Sequence, residues 1–272
     1  MPTPLQEITV ESLRDFTEQV ETRMGTSERL WYRGCGATSY RLQPSLFRHP
    51  TVDDIDGLLN KERNFLISFR HRSLPYLTSL PGNDLEWLFL MQHHSVPTRL
   101  LDWTENPYIA LFFALSSAPI TGRAADGTPQ YGEGCAVWLL DPGLWNRRSL
   151  NLVTYTEGIL SAGDELLKGY APNTEQRLMN TNPIALYGVH NSRRIVVQRG
   201  VFVVFGKDVR PMEEIYTESD YPPAALIKLV IPPGNVATLL KSLTSIGVTD
   251  SAVYPDLDGL AKELKRASGY YV

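Results

Sequence analysis

Cysteine is nearly absent. Cys35 and Cys135 are the only two in 272 residues, so no disulfide framework is available, and both read as small buried hydrophobes in a reducing compartment. Excess positive charge is also missing. The net charge is −4 and the pI is about 5.8, which argues against a globally basic nucleic-acid binder while leaving a local basic patch open. No apolar run reaches the roughly 18–20 residues that a membrane span requires. The first residues, MPTPLQEITVESLRDF, have neither a basic n-region nor an apolar h-region, so the expected location is the cytoplasm. Repeats and low-complexity segments are lacking. So are a G-x-S-x-G elbow, a Walker loop, a G-x-G-x-x-G turn, an H-E-x-x-H pair and cysteines at zinc spacing. With 43% hydrophobic and 21% charged residues, the chain has ample material for a large core, in one large domain or two small ones.

Element patterns are mixed along the chain. ITVESLRDFTEQVETRM has near-helical spacing, with Glu11 and Ser12 at its start. RLWYRGCG reads as a short aromatic strand stopped by Gly34 and Gly36. DDIDGLLNKERNFLISFRHRS and DLEWLFLMQHH read as helices, and TRLLDW as extended chain. In ENPYIALFFALS, Asn106 caps a helix that begins at Pro107. APITGRAADGTPQYGEG reads as a loop, CAVWLLD as a buried strand, and residues 149–182 as an irregular insert or lid. RRIVVQRGVFVVFG has the pattern of a hairpin, with strands Ile195–Gln198 and Val201–Phe205 turning at Arg199-Gly200. ALIKLVIP is a further strand, and GNVATLLKSLTSIG and DLDGLAKELKRASG are C-terminal helices. The expected fold class is α+β: a single domain with a mixed or antiparallel β core flanked by N- and C-terminal helices.

Four stretches carry candidate chemistry. Arg33, at the end of the aromatic strand, can clamp a phosphate or carboxylate, and Gly34 allows close approach; alternatively Arg33 snorkels or pairs with a core carboxylate. The helix from Pro107 is apolar on nearly every face and must be buried. That fixes Asp102, Trp103 and Thr104 at its mouth, where a helix N-terminus suits an anion. The plainer reading makes Thr104 or Asn106 a cap, pairs Asp102 with Arg99 or Arg33, and puts Trp103 in the core. Adjacent His93 and His94 face different ways on a helix and make a poor metal pair, so no metal is expected, but one of them can line a pocket. His190, Arg193, Arg194 and Arg199 form a basic cluster suited to a phosphate-bearing partner or to a solvated, charge-protected strand edge.

These residues together resemble the FRG domain family, named for a Phe-Arg-Gly triplet that stands here as Tyr32-Arg33-Gly34. The family's pattern H-x-G-x-P-T-R-L-L-D-W-T-x-N-P-x-x-A-L-x-F-A is matched here by His94-Ser95-Val96-Pro97-Thr98-Arg99-Leu100-Leu101-Asp102-Trp103-Thr104, then Asn106-Pro107, Ala110-Leu111 and Phe113-Ala114, with a departure at Ser95-Val96. The hairpin stretch and YPDLDGLA resemble later family blocks. The resemblance places the domain at about residues 28–265, after an N-terminal helical segment (1–27) and before a short tail (266–272).

A more distant resemblance is to ADP-ribosyltransferases of the Arg-Ser-Glu type. It implies that fold, with Arg33 on the first motif strand gripping the phosphates of NAD. Thr104 would take the second motif position, and Gln198 the place of the catalytic Glu on a third strand. Tyr32, Gly34, His94, Arg99, Asp102, Trp103, Arg194 and Phe202 would shape the NAD cradle. A neutral Gln198 cannot supply charge to an oxocarbenium-like transition state; Glu157, Asp164 or Glu165 of the insert are alternative carboxylates. The function so implied is an NAD-cleaving or ADP-ribosyl-transferring toxin or defence effector of a bacterium or phage. Its partners would be NAD or another nucleotide, a protein or nucleic-acid acceptor, and an antitoxin or companion defence protein, with no membrane involved. Two other classes stay open: a non-enzymatic nucleic-acid or nucleotide-signal binder using the arginines, and a hydrolase using His93, His94 or His190 with Asp102.

Overall fold

The computed structural model describes residues 3–27, 29–125, 127–151, 159–188 and 193–270. Its strands are β1 (Gln6–Thr9), β2 (Trp31–Cys35), β3 (Leu100–Thr104), β4 (Ile120–Arg123), β5 (Pro129–Tyr131), β6 (Cys135–Leu140), β7 (Leu160–Ser161), β8 (Ile184–Tyr187), β9 (Gly200–Val204) and β10 (Leu226–Ile231). Its helices are α1 (Leu13–Met24), α2 (Ile55–Ser73), α3 (Asp84–His93), α4 (Pro107–Ser116), α5 (Pro142–Ser149), α6 (Arg193–Gln198), α7 (Met212–Glu218), α8 (Val236–Ser245), α9 (Asp250–Val253) and α10 (Leu257–Ala267). The fold is mixed α+β, built on one eight-stranded sheet in the order β1-β10-β6-β2-β3-β9-β8-β7. The outer pairs β1–β10 and β7–β8 are parallel and the others are antiparallel.

Alternation along the strands sends side chains to two faces. On one face Trp31, Leu101, Trp103, Trp138 and Val203 pack against α5 and α7. The other face carries two separate cores. Tyr32, Val137, Leu139 and Leu229 meet α1, α4 and α8 on one half, and Leu100, Phe202, Val204 and Leu186 meet α2 and α3 on the other. The boundary between these cores falls at β2 and β3. Those two strands register through the single pair Tyr32↔Thr104, whereas β2 runs beside β6 from Trp31↔Leu140 to Cys35↔Ala136. The sheet is therefore split at its centre.

Helix α4 is where the sequence expected it. The Asn106 side chain accepts hydrogen bonds from the backbone N–H groups of Tyr108 (3.0 Å) and Ile109 (3.4 Å). Its apolar sides are buried against β2 and β6. Asn106→Ala is expected to cost about 1 kcal/mol, the usual value of such a cap, read as a lowered midpoint in urea denaturation.

Three expectations are corrected. The stretch expected as a hairpin starts as helix α6, not as a strand over Ile195–Gln198. Both edges of β9 are already occupied, by β3 and β8, so no edge remains for that run despite its β-branched residues. The helix ends at Arg199, whose φ of 46° reverses the chain into β9. Second, the Gly- and Pro-rich loop contains the β4–β5 hairpin, closed by an Ala124 N–H to Thr128 carbonyl bond of 2.9 Å. Third, residues 6–9, expected within a helical segment outside the domain, form a strand paired to β10, and Phe16 and Val20 of α1 join the core.

Candidate functional site

The split between β2 and β3 opens into a cleft of about 450 Å³, within the range of small-molecule sites. Tyr32, Asp102, Thr104, Gly200 and Phe202 come from its sheet floor. Gln92, His93, Ser95 and Val96 form the α3 side, Phe113 and Ser117 the α4 side, and Arg194, Ile195 and Gln198 of α6 a further wall.

Arg33 stands in the gap itself. Alternation puts it on the Trp31 and Cys35 face, but the missing strand pairing lets its Nη1 donate to the Asp102 backbone carbonyl. It pairs with no carboxylate among the described residues, and its Nε is buried without a hydrogen-bond partner. The Cys35 thiol lies beside the guanidinium. Burial pushes that thiol's pKa up, with Arg33 opposing, so it stays protonated.

Asp102 is the one carboxylate among the described residues lining the cleft. A relay holds it: Thr98 Oγ1 donates to Gln92 Oε1 at 2.7 Å, and Gln92 Nε2 donates to Asp102 Oδ2 at 2.7 Å. His93 is close enough to feel that charge. Burial, with His94 and Arg194 nearby, lowers the His93 pKa from its usual value, and Asp102 only partly offsets this. His93 is therefore neutral at pH 7 and able to accept a proton.

Of the residues the sequence proposed, Tyr32, Arg33, Gly34, Asp102, Trp103, Thr104, Arg194, Gln198 and Phe202 all line this cleft. Several have other tasks than expected. The Thr104 hydroxyl donates to the Gln198 carbonyl at 2.5 Å and accepts from the Asn106 N–H at 3.0 Å, so it ties α6 to the β3–α4 junction. Gln198 sits at a helix end rather than on a strand, with Nε2 donating to the Val253 carbonyl at 3.1 Å. Arg194 lies 4.7 Å over the Tyr254 ring. The α4 N-terminus is not an open anion site, because Pro107 has no N–H and Asn106 occupies the next two.

Two residues are not in the cleft. Arg99 is fully buried, with Nε 3.0 Å from Glu62 Oε2 of α2. His94 caps α3 and lines a separate groove with Phe69, Tyr76 and Leu77. The histidine that reaches the cleft is His93. Counting back from Pro97, the family's H-x-G-x-P spacing in fact places its histidine at His93 and its glycine at Ser95. Ser95 has a φ of 59°, the left-handed conformation that favours glycine. Asp164 accepts hydrogen bonds from Ser161, and Glu165 pairs with Lys168; neither lines the cleft. Arg193 and Arg199 do not line it either. Glu157 and His190 lie outside the described residues.

Gln92, Ser45, Ser95, Phe113 and Ser117 are cleft residues that the sequence reading passed over. For Gln92 there was a signal: a polar amide late in an otherwise apolar helix, which has to find a partner. Among the described residues no three His, Cys, Asp or Glu are grouped to hold a metal ion, and no helix is long and apolar enough to cross a membrane.

The split mixed sheet thus holds an arginine without a carboxylate partner and a relay-held carboxylate in one cleft of mixed polar and apolar lining. Residues 28–121 match the model of the FRG domain family, a stretch running from before β2 through α4 into β4. It contains Arg33, His93, Asp102 and Thr104, but not Arg194, Gln198 or Phe202. Comparison with curated proteins and with solved structures gives no match.

Proposed function

We propose that the cleft binds NAD and that the FRG domain cleaves it, as an ADP-ribosyltransferase-like enzyme or NAD glycohydrolase. The observation that carries this reading is the Arg33 guanidinium in the sheet gap, without a carboxylate partner and beside a single held carboxylate. A dinucleotide phosphate is the anion such a guanidinium fits. The charge that Gln198 cannot supply comes from Asp102. As the glycosidic C–N bond breaks, its electron pair leaves with nicotinamide and positive charge develops on the ribose. A carboxylate held by Gln92 stabilises that charge without reorganising. Water, or an acceptor nucleophile, forms the new bond to the ribose and loses a proton, which neutral His93 takes.

The test follows nicotinamide release from NAD together with NAD affinity. Arg33→Ala is expected to weaken NAD binding about tenfold to a hundredfold, the worth of a charge-assisted contact. Asp102→Asn is expected to leave binding near the parent value and slow release about a hundredfold. Binding without release would make the domain a nucleotide-binding module. Binding and release both indifferent to Arg33→Ala would end the proposal.

A further inference from the structure

Helix α10 is mounted with its polar side inward. The Arg266 guanidinium donates to both carboxylate oxygens of Asp250 (2.8 and 3.1 Å). Glu263 accepts from the Ser251 N–H at 3.0 Å and from its hydroxyl. At Gly259 the helix backbone lies against Tyr254 so closely that a Cβ would sit 2.0 Å from the Tyr254 carbonyl oxygen. These anchors fix the helix's rotation. They turn outward the stripe formed by Leu257, Leu260, Ala261 and Leu264, at the i, i+3, i+4, i+7 spacing that normally faces a core. Leu257 is 82% exposed, Leu260 44% and Leu264 60%. Solvated leucines scattered singly need no explanation, but a whole helical stripe held out by three inward anchors does.

The charges beside the stripe say what covers it. Asp258 and Lys265 lie two turns apart in one row along a single edge of the stripe. Neither has a salt-bridge or side-chain hydrogen-bond partner among the described residues. When two copies of such a helix pack antiparallel about a two-fold axis, like edges meet with their direction reversed. Asp258 then faces Lys265 of the second copy, and Lys265 faces its Asp258, while Leu257 meets Leu264 across the centre. A parallel pairing would not bring these two charges together. We propose that α10 is a self-association surface, through which two copies of this chain pair antiparallel. A single-helix contact of this size belongs to the weak, transient class of interfaces, with dissociation in the micromolar range.

Sedimentation velocity of the full chain over rising concentration tests the idea. The expected result is a reversible monomer–dimer equilibrium. Leu264→Glu and Lys265→Asp should each weaken it by about tenfold or more, and the exchange Asp258→Lys/Lys265→Asp should restore it, because only self-pairing lets two reversed charges complement each other. All three side chains are solvent-facing, and circular dichroism of each variant should match the parent. A parent that stays monomeric at about 100 µM would overturn the proposal, whether or not it binds vesicles of anionic lipid. So would a dimer unmoved by Leu264→Glu, or one that the charge exchange fails to restore.

Discussion

Glu62→Ala is expected to lower the stability of this protein by about 3–5 kcal/mol, the cost of leaving one charge of a buried pair without its partner. Glu62 and Arg99 are both fully buried, with Arg99 Nε 3.0 Å from Glu62 Oε2. The Arg99 backbone N–H also donates to Glu62 Oε1 at 3.4 Å. The guanidinium's two amino groups have no hydrogen-bond partner, so Glu62 is the sole carboxylate compensating that charge among the described residues. The pair joins α2 to the chain entering β3 and thereby holds the α2–α3 layer against its half of the split sheet. Urea denaturation of Glu62→Ala is the measurement. A double change, Glu62→Leu with Arg99→Met, removes both charges and keeps the volume, and it should recover most of the loss. A single variant as stable as the parent would show that the pair is not what anchors α2.

Legibility in the sequence followed locality. Asn106-Pro107 specified the start of α4 within three residues, and the observed cap is the one the pair predicts. The strand Trp31–Cys35, the long helices and the buried run Cys135–Leu140 were readable from periodicity and composition alone. Ile195–Gln198 failed because strand propensity is satisfied only if a sheet edge is free, and the two edges of β9 are taken by the distant β3 and by β8, the strand just before α6. Arg99 was read as a ligand group because an arginine in a polar motif gives no sign of which way it points. Its partner Glu62 lies 37 residues earlier, in a helix whose inward face was judged by its apolar residues. The split between β2 and β3 was not legible at all, since it depends on register between strands separated by two helices. Even so, most of the proposed cradle residues reach the cleft, because the motif strands bring them there whatever the register does beyond Tyr32↔Thr104.

Gly34→Ala is expected to cost about 3 kcal/mol or more, at the upper end of what overpacking a core does. A Cβ at Gly34 would stand 2.0 Å from the Ala110 carbonyl oxygen and 2.5 Å from the Ala114 nitrogen. Both atoms belong to the backbone of α4, so no rotamer change relieves the contact; the helix and the strand have to separate. Gly34 therefore has a packing role, and it also lines the cleft. The separation would also act on function, because β2 carries Arg33 and α4 supplies Phe113 and Ser117 to the cleft wall. Gly34→Ala should then weaken the NAD binding proposed for this cleft even at temperatures where circular dichroism shows the chain still folded. Gly163→Ala is the matched control, since a Cβ there meets nothing within 4 Å, and its stability is expected to stay within about 0.5 kcal/mol of the parent. If Gly34→Ala were folded and stable while binding was lost, the glycine would be needed for ligand approach. If stability and binding fell together, as expected, the close seat of α4 on β2 would be the feature that keeps the central split open in its working shape.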